Sequence, residues 1–242
     1  MTHFKIEEGS IATPWIPSPA DLRFTKIYGL TSETIYDTSG FGNNGSINGH
    51  PTSYSGSARY SGSIGNFTNS KYITAPSLPS NTKTISFWVK SGTISGSQVV
   101  FADYGSKIAF GFNGNNTTYI VCDLPSGSGY STGSRCVAGG HWKENDWNHF
   151  VIIKLTDSPY TFKTYLNGNL LSASSTNYWA HTIDDLMIGR RSSGSPFGGQ
   201  ISDFRAYVTE LSEDDILELY HTPISLTKQG TLMTQGEYVE VM

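Results

Sequence analysis

The chain has 242 residues, enough for one all-β domain with a hydrophobic core of its own. Charged residues are only 15% of the sequence, while 26 glycines and 13% aromatic residues favour tight turns and half-buried pleated surfaces. A net charge of −4 without a block of Lys or Arg argues against a nucleic-acid partner, and no apolar run reaches the roughly 18 residues of a membrane-spanning helix.

The N-terminal region, residues 1–20, predicts a short strand followed by a linker. Phe4 and Ile6 alternate with charged residues, and three prolines then interrupt any strand and stiffen the segment. The first eight residues lack the apolar core of a secretory signal peptide. We therefore expect that the chain stays in the cytoplasm, leaves by a route without a cleaved signal, or was cut from a longer protein.

Residues 21–223 form the predicted body. Short β-rich segments recur along it at regular spacing, which is typical of a sandwich or barrel rather than of alternating strands and helices. The strongest turn signal is Asn167-Gly168, because a two-residue type I′ turn needs two positive φ values. The predicted strands cover residues 72–74, 84–89, 99–101, 108–112, 119–122, 149–153, 162–166, 186–189 and 200–207.

One helix is predicted, from Ser212 to Tyr220. Ser212 can cap it, and three acidic residues follow in the first turn, where the helix dipole favours them. Leu211 and Ile216 are spaced as a hydrophobic staple. The closing residues, 224–242, contain two strand-like pieces and predict an appended hairpin.

The two cysteines, Cys122 and Cys136, flank a segment rich in Gly and Ser and could face each other across a hairpin. The sequence does not decide whether they form a disulfide, and without a signal peptide two ordinary thiols are favoured. They are too few, and too far from any pair of histidines, to indicate a zinc site.

Three stretches of the body resemble laminin-G-like, concanavalin A-like jelly-roll domains. Asp37–Gly45 is similar to the opening loop of that family, and Thr84–Lys90 is similar to its central strand. The third stretch is a late series that matches in order and spacing, over residues 147–150, 165–168, 188–189, 199–207 and 211–212. The resemblance implies an all-β fold, an antiparallel two-sheet jelly-roll sandwich with one short helix near residues 212–220.

Two other segments resemble tail proteins of phages and prophages. Lys5–Asp21 is similar to the junction that follows a carbohydrate-binding jelly roll in such proteins, and Leu226–Leu232 is similar to their short terminal segments. This resemblance implies a host-recognition module of a virion that binds a glycan or cell-wall polysaccharide. Other tail proteins and a second copy of the chain remain open as partners, and a structural connector of the virion remains the alternative function.

A glycosidase is the third reading, since the same fold hosts retaining glucanases. Those enzymes carry Glu-x-Asp-x-x-Glu on one strand, which brings two carboxyl groups to about 5 Å from each other. No such run exists in this sequence, and the acid-rich residues 210–218 fall in the predicted helix. No serine stands in a nucleophile elbow, and no Gly-rich stretch continues as a phosphate loop. We therefore expect no catalytic activity.

A structural calcium ion is predicted in the opening loop. Asp37, Asn43 and Asn44 supply carboxylate and amide oxygens, which calcium prefers, and Asp203 is the candidate for a distant ligand. Related domains often hold calcium between loops. The alternative is that these polar side chains only stabilise turns of the loop.

Glycan binding requires flat aromatic faces for stacking and planar polar groups for the sugar hydroxyls. Several aromatic residues lie between predicted strands, where they need not serve the core, and two arginines after the strand at 186–189 could reach acidic sugars or phosphates. Trp88 and Trp147 follow strand patterns and are expected in the core, and a lid over the end of the sandwich is the alternative use of the loop aromatics. The predicted ligand-binding residues are Tyr130, Trp142, Tyr178, Trp179, His181, Arg190 and Arg191.

Overall fold

The computed structural model describes residues 22–24, 34–35, 43–54, 63–104, 108–113, 119–123, 135–137, 142–155, 162–174, 182–221, 224–226 and 232–234. These ranges contain short strands throughout and one helix, α1 (Glu213–His221). The strands are β1 (Leu22–Phe24), β2 (Thr34–Ile35), β3 (Gly45–Asn48), β4 (Thr52–Tyr54), β5 (Ser63–Gly65), β6 (Tyr72–Ala75), β7 (Thr84–Lys90), β8 (Ser97–Ala102), β9 (Ala109–Asn113), β10 (Tyr119–Asp123), β11 (Arg135–Val137), β12 (Trp147–Lys154), β13 (Phe162–Leu166), β14 (Asn169–Ser174), β15 (Leu186–Ile188), β16 (Gln200–Tyr207), β17 (Ile224–Leu226) and β18 (Leu232–Thr234).

Two antiparallel sheets form the body and confirm the predicted fold class. The first sheet has the order β14-β13-β12-β7-β16-β5-β4, and β1 also pairs with β16. The second sheet has the order β11-β10-β9-β8-β15-β6-β3-β2. Strands β17 and β18 pair with each other in a separate two-stranded sheet. Within the described ranges, no helix is both long enough and apolar enough to span a membrane.

The main core lies between the two sheets. On β7, the strand at the centre of the first sheet, Ile85, Phe87 and Val89 are fully buried in it, because side chains of a strand alternate between its two faces. The Phe87 ring contacts the rings of Phe101 and Phe110 from the second sheet, with centroids 5.5 and 4.8 Å away. Each such aromatic pair contributes about 0.5–1.5 kcal/mol beyond the burial of its area.

Helix α1 begins at the predicted cap. The Asp215 amide donates to the Ser212 hydroxyl at 3.1 Å, and the Ser212 amide donates to the Asp215 carboxylate at 2.8 Å. Two free amides of the first turn are thereby satisfied, which is the physical role of a capping box. Leu211 and Ile216, the predicted staple, are both buried in one hydrophobic cluster.

The helix covers the outer face of the first sheet, where a second cluster forms. Residues of β12, β13 and β16 on this face pack with the apolar side of α1. Trp88 is buried as expected, but on this face, where its ring stacks on His149 and Tyr220 at 4.9 and 5.7 Å. The prediction that Trp147 lies in the core is wrong, since its side chain is only partly buried at the start of β12.

The hairpin between β13 and β14 has the predicted turn. Asn167 and Gly168 have φ values of 50° and 80°, and the Asn167 carboxamide accepts a hydrogen bond from the His149 amide at 2.8 Å. The hairpin of β10 and β11 contains a bulge, and its register pairs residue 120 with 137 and residue 121 with 135. Cys136 therefore lies opposite the backbone between residues 120 and 121 rather than opposite Cys122.

Candidate functional site

Three of the seven predicted ligand-binding residues fall in the described ranges, namely Trp142, Arg190 and Arg191. All three lie at the same end of the sandwich, since residue 142 precedes β12 and residues 190–191 follow β15. The other four, Tyr130, Tyr178, Trp179 and His181, lie outside the described residues.

Trp142 belongs to the core rather than to a ligand surface. Its side chain is only 7% exposed, and its ring lies against that of Phe112 with centroids 4.6 Å apart. Phe112 in turn stacks on Phe197 at 5.7 Å. The expectation that Trp142 offers a free ring face is therefore corrected, because a segment between strands of a sandwich can still pack an aromatic side chain into the end of the core.

Arg190 is held in place by its surroundings. Its guanidinium donates to the carbonyl oxygens of Arg191 at 2.8 Å and Ser192 at 2.6 Å, and also to the carbonyl oxygen of Asn69. The guanidinium carbon lies 4.7 Å from the centre of the Tyr72 ring, within range of a cation–π interaction. These contacts use three of the five N–H groups and fix the side chain that the sequence predicted as a ligand contact.

The surroundings of Arg190 are three neighbouring connections between the two sheets, together with the bordering strand residues Asn48 and Tyr72. We call them the loop cluster: residues 48–51, 66–72 and 189–199. They join β3 to β4, β5 to β6 and β15 to β16. They lie side by side because β4, β5 and β16 are neighbours in the first sheet and β3, β6 and β15 are neighbours in the second.

Close backbone packing ties these connections together. Gly49 lies against the carbonyl group of Ser70, where a Cβ atom would overlap it. Gly189 has a φ of 91° and lies against the Phe67 ring, so that the third connection can approach the second only without a side chain there. The loop cluster is therefore a rigid surface rather than three independent loops.

Hydrogen bonds within each connection add to this rigidity. Thr68 and Lys71 exchange backbone hydrogen bonds at 3.0 and 3.2 Å, and the Thr68 hydroxyl accepts from the Lys71 amide. Arg191 and Gly194 likewise exchange backbone hydrogen bonds, at 3.1 and 3.0 Å. Two cationic side chains, those of Lys71 and Arg191, thus start from fixed backbone positions.

The chemistry of the loop cluster is cationic and rich in hydrogen-bonding groups. Lys71, Arg190 and Arg191 are partly exposed, and the His50 side chain is exposed. The remaining polar side chains are amides and hydroxyls, and no Asp or Glu occurs in the three connections. Such a surface can donate hydrogen bonds to hydroxyl and anionic groups, but it offers no carboxylate for acid–base chemistry.

The predicted calcium ligands are only partly described. Asp37 lies outside the described residues, and Asn43 and Asn44 lead into β3 of the second sheet. Asp203 lies on β16 of the first sheet, where a bulge gives it a φ of 49°. Among the described residues, no group of three or more His, Cys, Asp or Glu side chains is arranged to hold a metal ion.

Asp203 has a structural partner in Arg205. Both Asp203 carboxylate oxygens accept hydrogen bonds from the Arg205 guanidinium, at 2.7 and 2.5 Å, and the Arg205 side chain is only 2% exposed. Burial alone would lower the pKa of Arg205, but the Asp203 charge and hydrogen bonds outweigh it and raise the pKa above its usual value. The bulge therefore turns Asp203 toward its own strand neighbour, on the sheet opposite to that of Asn43 and Asn44.

A family model described as the concanavalin A-like lectin/glucanases superfamily matches residues 65–217, more than half of the chain. The chain belongs to this superfamily. No curated protein sequence matches it.

Solved structures with a similar fold include both binding domains and enzymes. Domain 4 of AbnA, a GH43 extracellular arabinanase from Geobacillus stearothermophilus solved in complex with arabinotriose, has a TM-score of 0.54 at 17% identity over 76% of this chain and 92% of that one. The botulinum neurotoxin type G receptor-binding domain has a TM-score of 0.56 at 15% identity over 83% and 50%. Trypanosoma rangeli sialidase has a TM-score of 0.59 at 12% identity over 82% and 32%. At such identities, the similarity shows only the fold.

One exposed aromatic residue of this concanavalin A-like domain was not predicted as a site residue. Tyr104 is 63% exposed at the end of the sandwich opposite the loop cluster. Its amide donates to the Asp184 carbonyl at 3.0 Å, and the neighbouring Asp103 carboxylate accepts from the Ile108 amide at 2.6 Å. The turn-forming pair Asp103-Tyr104 before a glycine was the sequence signal that could have indicated it.

Proposed function

We propose that this domain is a non-catalytic glycan-binding module and that the loop cluster is its binding surface. The observation that carries the proposal is the immobilised Arg190, which is surrounded by amide, hydroxyl and cationic groups on a rigid, carboxylate-free surface. Groups that are fixed before binding lose little conformational entropy when a ligand arrives, so each hydrogen bond contributes more to affinity.

The affinity of a single site should be weak. Sugar hydroxyls exchange hydrogen bonds with water for hydrogen bonds with protein, at little net gain. We expect dissociation constants on the order of 10⁻³ to 10⁻⁴ M, or roughly 4 to 5.5 kcal/mol. Useful adhesion then requires several copies on one particle, because tethering raises the effective concentration of the remaining sites.

A lectin-like role is supported by the family and by one relative in fold. Domain 4 of the arabinanase was solved in complex with arabinotriose, which makes an oligosaccharide a reasonable class of ligand to test for this fold. Fold alone does not specify function, so the loop cluster has to be tested directly.

A glycan array probed with the protein tests the proposal. We expect binding to one or a few polysaccharides, and at least a fivefold weaker response for the double variant Lys71→Ala/Arg191→Ala. Tyr104→Ala is the matched control, because it removes an exposed side chain at the other end of the sandwich. Loss of binding in Tyr104→Ala with full binding in the double variant would move the site to that end. Equal binding by all three proteins would place the site outside both tested surfaces, and no binding by the parent protein would favour the structural connector.

We also propose that bound glycan is not hydrolysed. Incubation of each bound polysaccharide with the protein, followed by a reducing-end assay, should show no increase over a blank. A time-dependent release of reducing ends would overturn this part of the proposal and favour a glycosidase.

The setting that we propose is the tail of a phage or prophage, where the module would recognise the host surface. The support is the resemblance of Lys5–Asp21 and Leu226–Leu232 to segments of tail proteins. A fluorescent fusion of the full chain should label bacterial cells of a susceptible strain and lose that labelling when the surface polysaccharide is removed by mutation. Unchanged labelling of cells without the polysaccharide would contradict the proposed setting.

A further inference from the structure

We infer that the loop cluster selects anionic glycans, and that it binds their carboxylate or phosphate groups in preference to neutral sugars. The inference rests on the proposed function, because it assigns a ligand class to the same surface.

The first support is the separation of charge in the molecule. The chain carries a net charge of −4, yet its three neighbouring connections, residues 48–51, 66–72 and 189–199, contain three cationic residues and no acidic one. Among the described residues, Glu144 and Asp146 are acids at this end of the sandwich, on the segment before β12. The connection of residues 91–96 lies between these acids and the loop cluster. The Asn145 amide donates to the Ser91 carbonyl, and the Gln98 side chain donates to the Thr93 carbonyl and accepts from the Gly198 amide.

Acidic residues concentrate elsewhere in the described part of the chain. Asp184 and Asp185 lie at the opposite end of the sandwich, beside Tyr104, and the first turn of α1 carries three acids in a row. Lys83 and Lys163 also lie toward the opposite end, so its charge is mixed, and an anionic surface would be attracted most to the end that carries the loop cluster, which orients the module during approach.

The second support is the fixed position of the Arg190 guanidinium. Its three hydrogen bonds to carbonyl oxygens and its position over Tyr72 hold the guanidinium plane, and two N–H groups are not used by these bonds. A fixed guanidinium suits the planar geometry of a carboxylate or phosphate better than that of a single hydroxyl. Lys71, which precedes Tyr72 in the chain, and Arg191, which follows Arg190, supply further positive charge.

Two pairs of polymers, each with a charged and a neutral member, test the inference. The probes are polygalacturonate and its methyl-esterified form, and poly(glycerol phosphate) and unphosphorylated polyglycerol. We expect stronger binding to at least one charged member than to its neutral partner. The expected affinity falls with added salt, since each neutralised contact releases a counterion. The two pairs distinguish a carboxylate from a phosphate as the bound group.

Charge variants connect the selectivity to the cluster. Lys71→Gln/Arg191→Gln should weaken binding to the charged polymer by about 5- to 30-fold, as expected for two partly exposed contacts of about 0.5–1 kcal/mol each. Lys71→Arg/Arg191→Lys should retain most of the binding. Lys83→Gln/Lys163→Gln changes the net charge equally but lies outside the cluster, and it should bind like the parent.

Three outcomes would overturn the inference. Equal loss of binding in Lys83→Gln/Lys163→Gln would show a net-charge effect rather than a site. Equal binding to charged and neutral polymers, with loss in the cluster variants, would leave the glycan site in place and remove its preference for anions. If the array and all four polymers gave no binding, the proposed function would fail together with the inference.

Discussion

The positive charge of Arg205, a buried residue of β16, is paired with the Asp203 carboxylate. Arg205 is almost fully buried beside Asp203, and breaking such a pair leaves an uncompensated charge in the interior. We expect Asp203→Asn to lower the free energy of unfolding by about 3–5 kcal/mol, measured by chemical denaturation. Asp184→Asn is the control, because that carboxylate is exposed and its change should stay within about 0.5 kcal/mol. Similar small effects in both variants would mean that water reaches Arg205.

Gly189 has a positive φ, and its backbone lies against the Phe67 ring. Gly189→Ala should cost the strain of a positive φ, about 1–2 kcal/mol, and in addition the overlap of the new Cβ with Phe67. Gly96 also has a positive φ, of 77°, but open space around it, so Gly96→Ala isolates the strain. Denaturation midpoints of the two variants compare these costs, and equal losses would mean that Phe67 moves aside freely.

The sequence pattern around Trp142 did not determine whether its side chain is buried. Its position between predicted strands indicated exposure, but the ring packs on Phe112 inside the core. We expect Trp142→Ala to lower the free energy of unfolding by about 3–5 kcal/mol, as for other large-to-small core substitutions. Near-parent stability with weakened glycan binding would restore the original interpretation.

At the scale of elements, Tyr165 connects β13 to the first turn of α1. Its hydroxyl donates to the Glu213 carboxylate at 3.1 Å, and burial together with this hydrogen bond raises the pKa of Tyr165 from 10.0 to about 12. The folded protein therefore keeps a proton that the unfolded chain releases above pH 10. This contribution to stability is complete below pH 10 and is lost as the pH rises through 12.

The variant Tyr165→Phe lacks this proton and tests the linkage. We expect the stability difference between parent and variant to shrink between pH 10 and pH 12, measured as denaturation midpoints at each pH. Both proteins share every other tyrosine, so a difference that does not change with pH would contradict the raised pKa.

The elements themselves could be predicted because their signals are local. Ser212 caps a helix through its own hydroxyl, and Asn167-Gly168 consists of the residue types that tolerate the two positive φ values of its turn. The site could not be predicted in the same way. Arg190 was named from the sequence, but Asn69 and Tyr72, which fix it, precede it by more than a hundred residues and meet it only through the strand order. Trp88 was expected to be buried, yet alternation alone does not say which face carries the helix.

At the scale of the molecule, the strand order decides which loops can act together. Three connections form one surface because β4, β5 and β16 are neighbours in one sheet while β3, β6 and β15 are neighbours in the other. The same order divides the predicted calcium ligands between the sheets, since Asp203 lies on β16 and Asn43 and Asn44 lead into β3. A metal ion that needed all of them would have to hold the two sheets together.

Because the predicted ligands lie on both sheets, calcium binding should change the stability of the whole domain. If Asp37, Asn43 and Asn44 hold calcium, the ion binds only the folded chain and must stabilise it by RT ln(1 + [L]/Kd), about 2.7 kcal/mol at a hundredfold excess over Kd. We expect a higher melting temperature in millimolar calcium than in chelator, and no such difference in Asp37→Asn. Asp203→Asn separates the two possible ligand sets. If Asp203 serves only Arg205, this variant is destabilised equally with and without calcium, whereas a ligand role would also remove the calcium shift. A parent protein that melts at the same temperature in calcium and in chelator would exclude the ion.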